Sequence, residues 1–434
     1  MDYVNKNVLV CGMARSGKSA AVLLQQLGAT VSVQDNNKDT QWDAAGFTCY
    51  FGVDALDIVD KFDLIIISPG ITVYAPFVKR AEELGIPVWG EAELAYKLCP
   101  CPMIAITGTN GKTTVTTLVW EILKHDNPAT LIGGNIGIPL TELVGTTTPD
   151  NTIVAEISSF QLETIGAFRP KVAAVLNITE DHLDRHHTMD IYIATKARIF
   201  ENHGEDDITV LNYDNAITRH MTPPGKVLYF STTSREAFVY VKDGHIATKD
   251  SQVIALEGLK IMTENALAAT AIALAAGASI PAIQKGLASF TGVAHRKEYV
   301  ATIKDVDYYN DSKATNTDAA IKAIESTNPP IILIGGGYDK NADFAPWVAS
   351  FGTKVKKLIV FGQTAKKIID SCEKIGFTRY VQAGSLEEAV TLASQEAAGG
   401  DTVLFSPACA SFDSFKNFEA RGEKFRELVL SKER

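Results

Sequence analysis

The stretch Ala105-Ile-Thr-Gly-Thr-Asn-Gly-Lys-Thr-Thr114 decides the fold of this chain, because a glycine-rich loop there separates two different apolar patterns. Before the loop, the apolar run Met103–Ile106 predicts a strand. After it, the segment Thr113–Lys124 carries apolar residues at a spacing of three and four, which predicts a helix. A strand, a glycine-rich loop and a helix in this order are typical of a phosphate-binding βα unit.

Four residues of this loop carry its chemistry. Gly108 and Gly111 let backbone N–H groups turn toward a polyphosphate, and the helix that follows favours negative charge at its N-terminus. Lys112 adds a positive charge, and the Thr113 hydroxyl can bind Mg²⁺. A full Walker sequence would have glycine at Ile106, so the match is limited to Gly-Lys-Thr and its flanks. The loop predicts an ATP site; a turn that binds nothing is the alternative.

A second phosphate loop lies nearer the N-terminus. Gly12-Met-Ala-Arg-Ser-Gly17-Lys18-Ser19 satisfies the Walker pattern in full and follows the apolar strand Val8–Cys11. A Rossmann-like first βα unit can hold the diphosphate of another nucleotide with the same turn. Asp35 follows the next strand, where such folds recognise a ribose or a base edge. The sequence favours a nucleotide-diphosphate substrate here, with a second ATP site or a structural turn as alternatives.

Composition sets the class of protein. The chain has 434 residues, 46% hydrophobic and 21% charged, which predicts a globular protein of two to four domains. No apolar run reaches the length of a membrane span, and the N-terminus leads directly into a strand, so no signal peptide is expected. The net charge of −10 argues against nucleic-acid binding. The six cysteines show no CxxC spacing, which favours the reducing cytoplasm.

The alternation of short β-rich runs with helical patterns predicts an α/β protein of three domains. A Rossmann-like domain is expected at residues 1–93, and the proline pair in Cys99-Pro-Cys-Pro102 predicts the linker that leaves it. A P-loop-type ATPase domain is expected at 94–294, and a second Rossmann-like domain at 295–434.

Polar residues follow several of the predicted strands, and ligands of open α/β sheets collect beyond the carboxyl ends of strands. Glu156 follows the apolar run Ile153–Ala155, and a glutamate beside a phosphate loop can hold Mg²⁺ together with Thr113. Asn177 and the run Asn310–Lys313 follow two further strands. We therefore expect a magnesium site at Glu156, with an ordinary surface carboxylate as the alternative.

Three histidines and a lysine downstream are harder to interpret. His182 and His186 are four residues apart, which is compatible with zinc, but no cysteine or further histidine cluster completes such a site. A single histidine near Mg²⁺ is the favoured interpretation, and His186 and His187 are predicted to be solvated. Taken alone, Lys196 is predicted to be a surface lysine on an amphipathic helix.

Seven motifs taken together resemble those of the Mur ligase family, and the similarity runs from end to end. They are Thr107-Gly-Thr-Asn-Gly-Lys-Thr-Thr114, Glu156-Ile-Ser-Ser-Phe-Gln161, Asn177-Ile-Thr-Glu-Asp-His-Leu-Asp184, Asn265-Ala-Leu-Ala-Ala269, His295-Arg296, Asn310-Asp-Ser-Lys-Ala-Thr-Asn316 and Ser406-Pro-Ala-Cys-Ala-Ser-Phe-Asp413. The last two point to the members that add D-glutamate.

The resemblance implies an ATP-dependent amide ligase of peptidoglycan synthesis, which adds D-glutamate to UDP-N-acetylmuramoyl-L-alanine through an acyl phosphate. It implies ATP as co-substrate, two Mg²⁺ ions, a CO₂-derived carbamate on Lys196 and a cytoplasmic monomer without membrane or nucleic-acid partners. Another Mur ligase or a folylpolyglutamate synthetase-like ligase is the nearest alternative. Outside the ligases, a nucleotide-switch or transporter-type ATPase and a non-catalytic UDP-sugar-binding protein stay open.

The resemblance also implies a role for individual residues. Those expected at ATP are Gly108, Thr109, Asn110, Gly111, Lys112, Thr113, Thr114, Asn265, Arg296 and Asp311. The catalytic residues are Lys112, Lys196, His182 and Glu156, and the metal contacts are Thr113, Glu156, His182 and Lys196. Those expected at the UDP substrate are Ser16, Gly17, Asp35, Ser68, Gly70, Asn135 and Gln161. Those expected at D-glutamate are Lys313, Thr315, Lys340, Ser411, Phe412 and Phe418.

The chain departs from the family pattern at three places. Ile261-Met262 stands where the family usually has His-Asn, so one expected contact near adenine is missing. Asn36-Asn37 replaces a Thr-Arg pair on the uracil side, and Lys18 is atypical of the first loop.

Overall fold

The computed structural model describes residues 3–40, 42, 45–259, 261–340 and 342–432. The chain forms two compact units, residues 1–290 and 291–434. The first unit holds two β-sheets and the second unit holds one, so the α/β class is confirmed. The domain boundaries after residues 93 and 294 stay predictions.

The first sheet is wholly parallel, in the order β3-β2-β1-β4-β5. Its strands are β1 (Asn7–Cys11), β2 (Thr30–Asp35), β3 (Thr48–Phe51), β4 (Leu64–Ile67) and β5 (Val88–Gly90), and its helices are α1 (Arg15–Gln26), α2 (Pro76–Glu83) and α3 (Glu91–Leu98). Side chains alternate between the two faces of β1, so Val8 and Val10 pack into one core while Leu9 and Cys11 pack into another. Burial on both faces explains the continuous apolar run of this strand.

The second sheet has the order β14-β13-β12-β11-β10-β9-β6-β8-β7. Its strands are β6 (Met103–Thr107), β7 (Thr130–Gly134), β8 (Thr152–Glu156), β9 (Val172–Val175), β10 (Ile208–Asn212), β11 (Lys226–Ser231), β12 (Val239–Lys242), β13 (His245–Ala247) and β14 (Gln252–Ala255). The helices that accompany them are α4 (Lys112–Asp126), α5 (Leu140–Val144), α6 (Ser159–Leu162), α7 (Leu183–His186), α8 (Met189–Ala197), α9 (Thr263–Ala275) and α10 (Ile280–Ser289). The interior strand β6, between β9 and β8, has the phosphate loop at its carboxyl end.

One edge of this sheet was not predicted from the sequence. Strands β12, β13 and β14 pair antiparallel, whereas the other pairs of the sheet are parallel. Asp243 and Gly244 join β12 to β13 with φ angles of 53° and 73°. Two successive positive φ angles are characteristic of a two-residue hairpin turn, for which Asp-Gly is a preferred pair. The Asp-Gly pair was therefore the signal that could have revealed this hairpin.

Two buried carboxylates join helix α3 to the region around the second sheet. Glu93, 1% exposed, accepts hydrogen bonds from the backbone N–H groups of Gly166, Ala167 and Phe168 at 2.8–3.0 Å. Glu91 accepts from the N–H of Thr141 at 2.7 Å and from its hydroxyl at 3.0 Å. Burial raises the pKa of Glu91 above its usual value. The two sheets of the first unit are thus connected by hydrogen bonds as well as by apolar packing.

The second unit contains a mixed sheet in the order β15-β16-β20-β17-β18-β19, in which only β15 runs antiparallel to its neighbour. Its strands are β15 (Glu298–Ile303), β16 (Val306–Asn310), β17 (Ile331–Gly336), β18 (Val355–Phe361), β19 (Tyr380–Gln382) and β20 (Thr402–Phe405). Its helices are α11 (Thr317–Glu325), α12 (Ala345–Ala349), α13 (Ala365–Ile375), α14 (Leu386–Glu396) and α15 (Phe418–Leu430). The neighbouring strands β16, β20 and β17 end beside one another.

Candidate active site

The predicted ATP loop connects β6 to α4 as the sequence indicates. Gly108 and Gly111 have φ angles of 155° and 82°, which glycine adopts at low cost. A Cβ atom at Gly111 would lie 2.7 Å from Oδ1 of Asn265, so this predicted adenosine-side residue packs against the loop. The Lys112 ammonium donates to the carbonyls of Gly108 at 2.8 Å and Thr109 at 2.9 Å. Lys112 therefore lies over the loop at the N-terminus of α4, with Thr113 and Thr114 in the same turn.

Asn177, for which the sequence predicts no role, fixes the conformation of the loop. The side chain of Asn177 accepts from the N–H of Asn110 at 2.9 Å and donates to its carbonyl at 3.2 Å. The backbone carbonyl of Asn177 accepts from the N–H of Thr109 at 2.9 Å. Thr109 in turn contacts the hydroxyl of Tyr192 at 3.1 Å. Asn177 comes directly after the apolar segment Val172–Leu176, and this position at a strand end could have predicted its role.

A buried carboxylate lies next to the loop. Glu156 is 1% exposed and accepts from the Thr113 hydroxyl at 2.7 Å and from the side-chain amide of Asn135 at 2.7 Å. The structure therefore brings together a predicted metal contact on the loop, the predicted metal carboxylate and a predicted substrate contact. Hydroxyl and carboxylate oxygens are the donors that Mg²⁺ prefers, and Mg²⁺ needs few ligands from the protein. The donors fit the ion that the family implies.

His182 and His186 have different environments. His182 is the N-cap residue of α7 with a φ angle of 55°, and its ring contacts the Phe160 ring edge-on with 4.9 Å between the ring centres. His186 is 1% exposed and its Nε2 lies 3.0 Å from the Ser159 hydroxyl, so the prediction that it is solvated is wrong. Its burial follows from the packing of α7 on α8, which the short polar sequence does not reveal. Among the residues that the structure describes, no three His, Cys, Asp or Glu side chains form a metal-binding group, so the zinc alternative lacks ligands.

Lys196 is buried, although the sequence of its helix predicts an exposed side chain. Taken alone, its position predicts a surface lysine, but the side chain is 1% exposed. Its ammonium donates to the Gly108 carbonyl at 2.8 Å and lies 4.8 Å from the centre of the Tyr192 ring. Burial, and secondarily the charge of Lys112, hold the pKa of Lys196 well below its usual value. The reactive form of this lysine, the neutral amine, is therefore favoured beside the phosphate loop.

The first phosphate loop also gathers its predicted residues. Gly17 lies in the first turns of α1 after Ser16, and a Cβ atom there would lie 2.0 Å from the Gly12 carbonyl. Ser68 donates to that carbonyl at 2.6 Å. Asp35 accepts from the N–H of Met13 at 2.8 Å. Asp35 and Ser68 thus fix the loop from the ends of β2 and β4, with Gly70 following Ser68.

Arg185 connects the segment that follows β4 with the segment of His182. Arg185, for which the sequence predicts no role, donates to the carbonyls of Gly70 at 3.3 Å and Ile71 at 2.8 Å. The same guanidinium pairs with Glu163 at 2.5 Å. Gln161, a predicted substrate residue, is 4% exposed and forms a capping box with Ser158 at the start of α6. The Gln161 side chain thus caps α6 and also hydrogen-bonds to Glu91, and its contact with the substrate stays a prediction.

In the second unit, the predicted adenosine residues lie around the end of β16. Asp311 is buried and accepts from the Ser406 hydroxyl at 2.7 Å and from the N–H of Lys297 at 3.1 Å. Burial raises the pKa of Asp311 to about 6, although these donors and the nearby charge of Arg296 oppose the rise. Arg296 and Asp311 are thus neighbours, while Asn265 belongs to the first unit.

The predicted D-glutamate residues lie in the loops after β16, β17 and β20, except Phe418, which is the first residue of α15. The Lys313 ammonium lies 3.8 Å from the centre of the Phe418 ring, so these two residues are in contact. Ser411 is 2% exposed, whereas Phe412 is 63% exposed and its ring lies 6.2 Å from that of Tyr338. Thr315 follows Lys313 by a turn, its N–H donating to the Lys313 carbonyl at 2.8 Å. Lys340 lies exposed in the loop after β17.

The order of domains and the phosphate-loop site define a class of protein. Three family models match in succession: the Mur ligase MurD-like N-terminal domain at residues 6–90, the Mur ligase middle domain at 106–273 and the Mur ligase glutamate ligase domain at 295–409. The chain belongs to the Mur ligase family.

Curated relatives give a more particular comparison. A UDP-N-acetylmuramoylalanine–D-glutamate ligase of Caldanaerobacter subterraneus subsp. tengcongensis is 42% identical over 99% of both chains. The protein of the same name from Pelotomaculum thermopropionicum is 45% identical, over 99% of this chain and 98% of the relative. The similarity therefore includes all three matched domains.

Solved structures agree on the fold. A pseudomurein peptide ligase type C from Methanothermus fervidus aligns with a TM-score of 0.64 at 20% identity, covering 99% of this chain and 100% of its own. A UDP-N-acetylmuramate-alanine ligase from Thermotoga maritima aligns with a TM-score of 0.62 at 18% identity, covering 98% and 99%. None of the helices in the described ranges is both long enough and apolar enough to span a membrane.

Proposed function

We propose that the chain catalyses the ATP-dependent ligation of D-glutamate to UDP-N-acetylmuramoyl-L-alanine, a step in the synthesis of peptidoglycan precursors. The observation that carries the proposal is the end-to-end match to curated D-glutamate ligases, which extends through the second unit as well as the ATP loop. The geometry agrees with it, because the phosphate loop, Glu156 and Lys196 lie together. The reaction is expected in the cytoplasm, with the enzyme acting as a monomer.

The roles of the three regions follow from the residues that they contribute. Residues 1–93 bind the UDP portion, residues 94–294 bind ATP, and residues 295–434 bind the amino acid. ATP phosphorylates the terminal carboxylate of the UDP substrate, and the amine of D-glutamate then displaces phosphate from the acyl phosphate. The backbone N–H groups of the loop and the Lys112 ammonium hold the ATP phosphates. To do so, Lys112 gives up its hydrogen bonds to the loop carbonyls and donates to phosphate oxygens instead. Asn135 orients the substrate beside Glu156.

Thr113 and Glu156 would hold one Mg²⁺ ion, and His182 with a modified Lys196 would hold a second. Bound Mg²⁺ supplies positive charge to the phosphoryl oxygens in the transition state. As a free amine Lys196 is a poor ligand for Mg²⁺, which prefers oxygen. Reaction of its neutral amine with CO₂ gives a carbamate and releases one proton, which replaces a cation by an anion with two oxygens. The low pKa of this buried lysine favours that reaction.

Phosphate release tests the proposal directly. The protein is assayed with ATP, UDP-N-acetylmuramoyl-L-alanine and one amino acid at a time: D-glutamate, L-glutamate, L-alanine or L-lysine. We expect turnover only with D-glutamate. Preference for another amino acid would indicate another ligase of the family, hydrolysis indifferent to the amino acid would indicate an ATPase, and no ATP turnover would indicate a binding protein.

Lys18 in the first loop is expected to serve the UDP substrate. Substituting Lys18→Ala should raise the KM for UDP-N-acetylmuramoyl-L-alanine and leave kcat nearly unchanged, because a contact shared by ground state and transition state affects binding alone. Steady-state kinetics with each substrate varied in turn measures both constants. The KM for ATP is the internal control. If only the KM for ATP rose, the first loop would be the ATP site.

Lys340 is expected to pair with a carboxylate of D-glutamate. Loss of a hydrogen bond to a charged group costs about 1.5 to 3 kcal/mol, so Lys340→Ala should raise the KM for D-glutamate roughly tenfold to a hundredfold. The KM for ATP should stay close to that of the wild type. Lys366→Ala, at an exposed lysine of the same unit, is the matched control. Equal weakening of both substrates would contradict the assignment.

A further inference from the structure

Arg421 is a buried arginine in the first turn of α15, three residues after Phe418. Its residue exposure is 0%, and all three types of guanidinium nitrogen donate hydrogen bonds. Nε donates to the Ser312 hydroxyl at 3.0 Å, Nη2 to the Ser312 carbonyl at 2.7 Å, and Nη1 to the Ala410 carbonyl at 2.9 Å. One side chain therefore joins two segments that are about a hundred residues apart in the chain.

The segments that Arg421 joins are the loops after neighbouring strands. Ser312 lies in the loop after β16, and Ala410 lies in the loop after β20. The Ala410 carbonyl also accepts from the N–H of Tyr338, in the loop after β17, at 2.9 Å. These three loops, residues 312–316, 337–340 and 407–412, are here called the strand-end loops. They carry Lys313, Thr315, Lys340, Ser411 and Phe412, and Phe418 is on the helix of Arg421 itself.

The environment of Arg421 is unusual for a purely structural residue. No carboxylate lies within ion-pair distance of its guanidinium in the described ranges 3–40, 42, 45–259, 261–340 and 342–432. Burial lowers the pKa of Arg421 to about 10, so the side chain is still charged at neutral pH. Burying this charge costs more than burying an apolar side chain of similar size, and the nearby Asp413 and Asp311 carboxylates offset only part of that cost. What distinguishes arginine at this position is the fixed, planar arrangement of its N–H donors rather than its charge.

The close packing around the guanidinium supports the same interpretation. A Cβ atom at Gly337, whose φ angle is 146°, would lie 3.0 Å from Nη1 of Arg421 and 2.3 Å from the Ala410 carbonyl. A Cβ atom at the next residue of the helix, Gly422, would lie 2.2 Å from Nδ1 of His295. Glycine at position 337 lets two of the strand-end loops approach Arg421 closely, and glycine at position 422 lets the helix of Arg421 approach His295.

We propose that Arg421 is a positioning residue that fixes the three strand-end loops relative to one another and so sets the geometry of the D-glutamate site. The inference rests on the proposed function for the identity of the amino acid. Arg421 itself touches no substrate: it acts through Ser312, next to Lys313, and through Ala410, next to Ser411. Asp311, which is held separately by Ser406 and Lys297, is affected less.

Arg421→Lys tests the proposal because lysine keeps the charge but cannot donate to both loops in a fixed fork. We expect the KM for D-glutamate to rise roughly tenfold to a hundredfold, with the KM for ATP and for the UDP substrate little changed. Backbone amide exchange, followed by mass spectrometry, should become faster in the strand-end loops and stay unchanged elsewhere in the second unit. Arg426→Lys, at a half-exposed arginine of the same helix, should change neither quantity.

Ser312→Ala is a milder second variant, since it removes one acceptor of Arg421 and keeps the backbone. It should raise the KM for D-glutamate in the same direction, and adding it to Arg421→Lys should have less than the additive effect. An unchanged KM in both variants, or amide exchange that accelerates across the whole second unit, would overturn the proposal. If the wild type does not use D-glutamate, the proposed function fails, and amide exchange still decides the positioning role because it needs no turnover.

Discussion

Substitution of Lys112 by alanine is expected to lower kcat by roughly 10²- to 10³-fold or more, the cost of removing one charge-stabilising donor from an active site. The reason is that Lys112 lies at the N-terminus of α4, over the loop that is proposed to hold the phosphates. Positive charge there stabilises the transferring phosphoryl group more than bound ATP. Rates of ADP formation with all three substrates saturating give kcat.

Binding of the UDP substrate distinguishes a catalytic effect from a folding effect. Lys112→Ala should bind UDP-N-acetylmuramoyl-L-alanine with unchanged affinity in calorimetry, because the loop proposed to bind this substrate joins β1 to α1 and does not include Lys112. Lys18→Ala is the matched control at the other loop lysine. Turnover that survives Lys112→Ala and disappears with Lys18→Ala would place ATP in the first loop.

Lys196→Ala is expected to be nearly inactive and to be partly restored by formate or acetate. Alanine leaves a cavity where the proposed carbamate would present its oxygens, and a small carboxylate can enter that space beside Gly108. The buried position of Lys196, the low pKa of its amine and its contact with the loop all support this expectation. Activity is measured over a range of formate concentrations in buffer depleted of CO₂.

Two controls make this result specific. Lys196→Arg keeps a positive charge but cannot form the carbamate, so it should be inactive and formate should not restore it. Wild-type protein incubated with ¹³CO₂ should show a carbamate carbon signal that Lys196→Ala lacks. Wild-type activity of Lys196→Ala in buffer depleted of CO₂ would show that the assigned role is wrong.

The parts of the site that could be predicted from sequence are those with local signals. Gly108, Gly111 and Lys112 belong to one contiguous loop, and Glu156 directly follows an apolar strand, so the chain order alone places them at the same edge of a parallel sheet. Thr113 and Glu156 are in contact because β6 and β8 are neighbouring parallel strands, which brings the residues at their carboxyl ends together.

Residues whose environment depends on packing between elements were missed. Lys196 and His186 lie on the short helices α8 and α7, whose sequences do not predict that these two polar side chains are buried, because they meet partners from β6 and α6. Arg421 follows a strand-end motif by only a few residues, but its partners, Ser312 and Ala410, are set by the tertiary fold. Long-range contacts of this kind leave no periodic trace in one sequence.

Glu93 has a consequence for the order in which the newly made chain can fold. Its carboxylate accepts N–H groups from residues 166–168, more than seventy positions further on. While the ribosome is still adding those residues, β1 to β5 are already complete, yet helix α3 lacks the donors that its buried carboxylate needs. The first sheet can therefore begin to form early, but α3 docks fully only after residue 168 has emerged. When the carboxylate of Glu93 first finds all its donors, only β6, β7 and β8 of the second sheet have been synthesised, so α3 can dock before that sheet is complete.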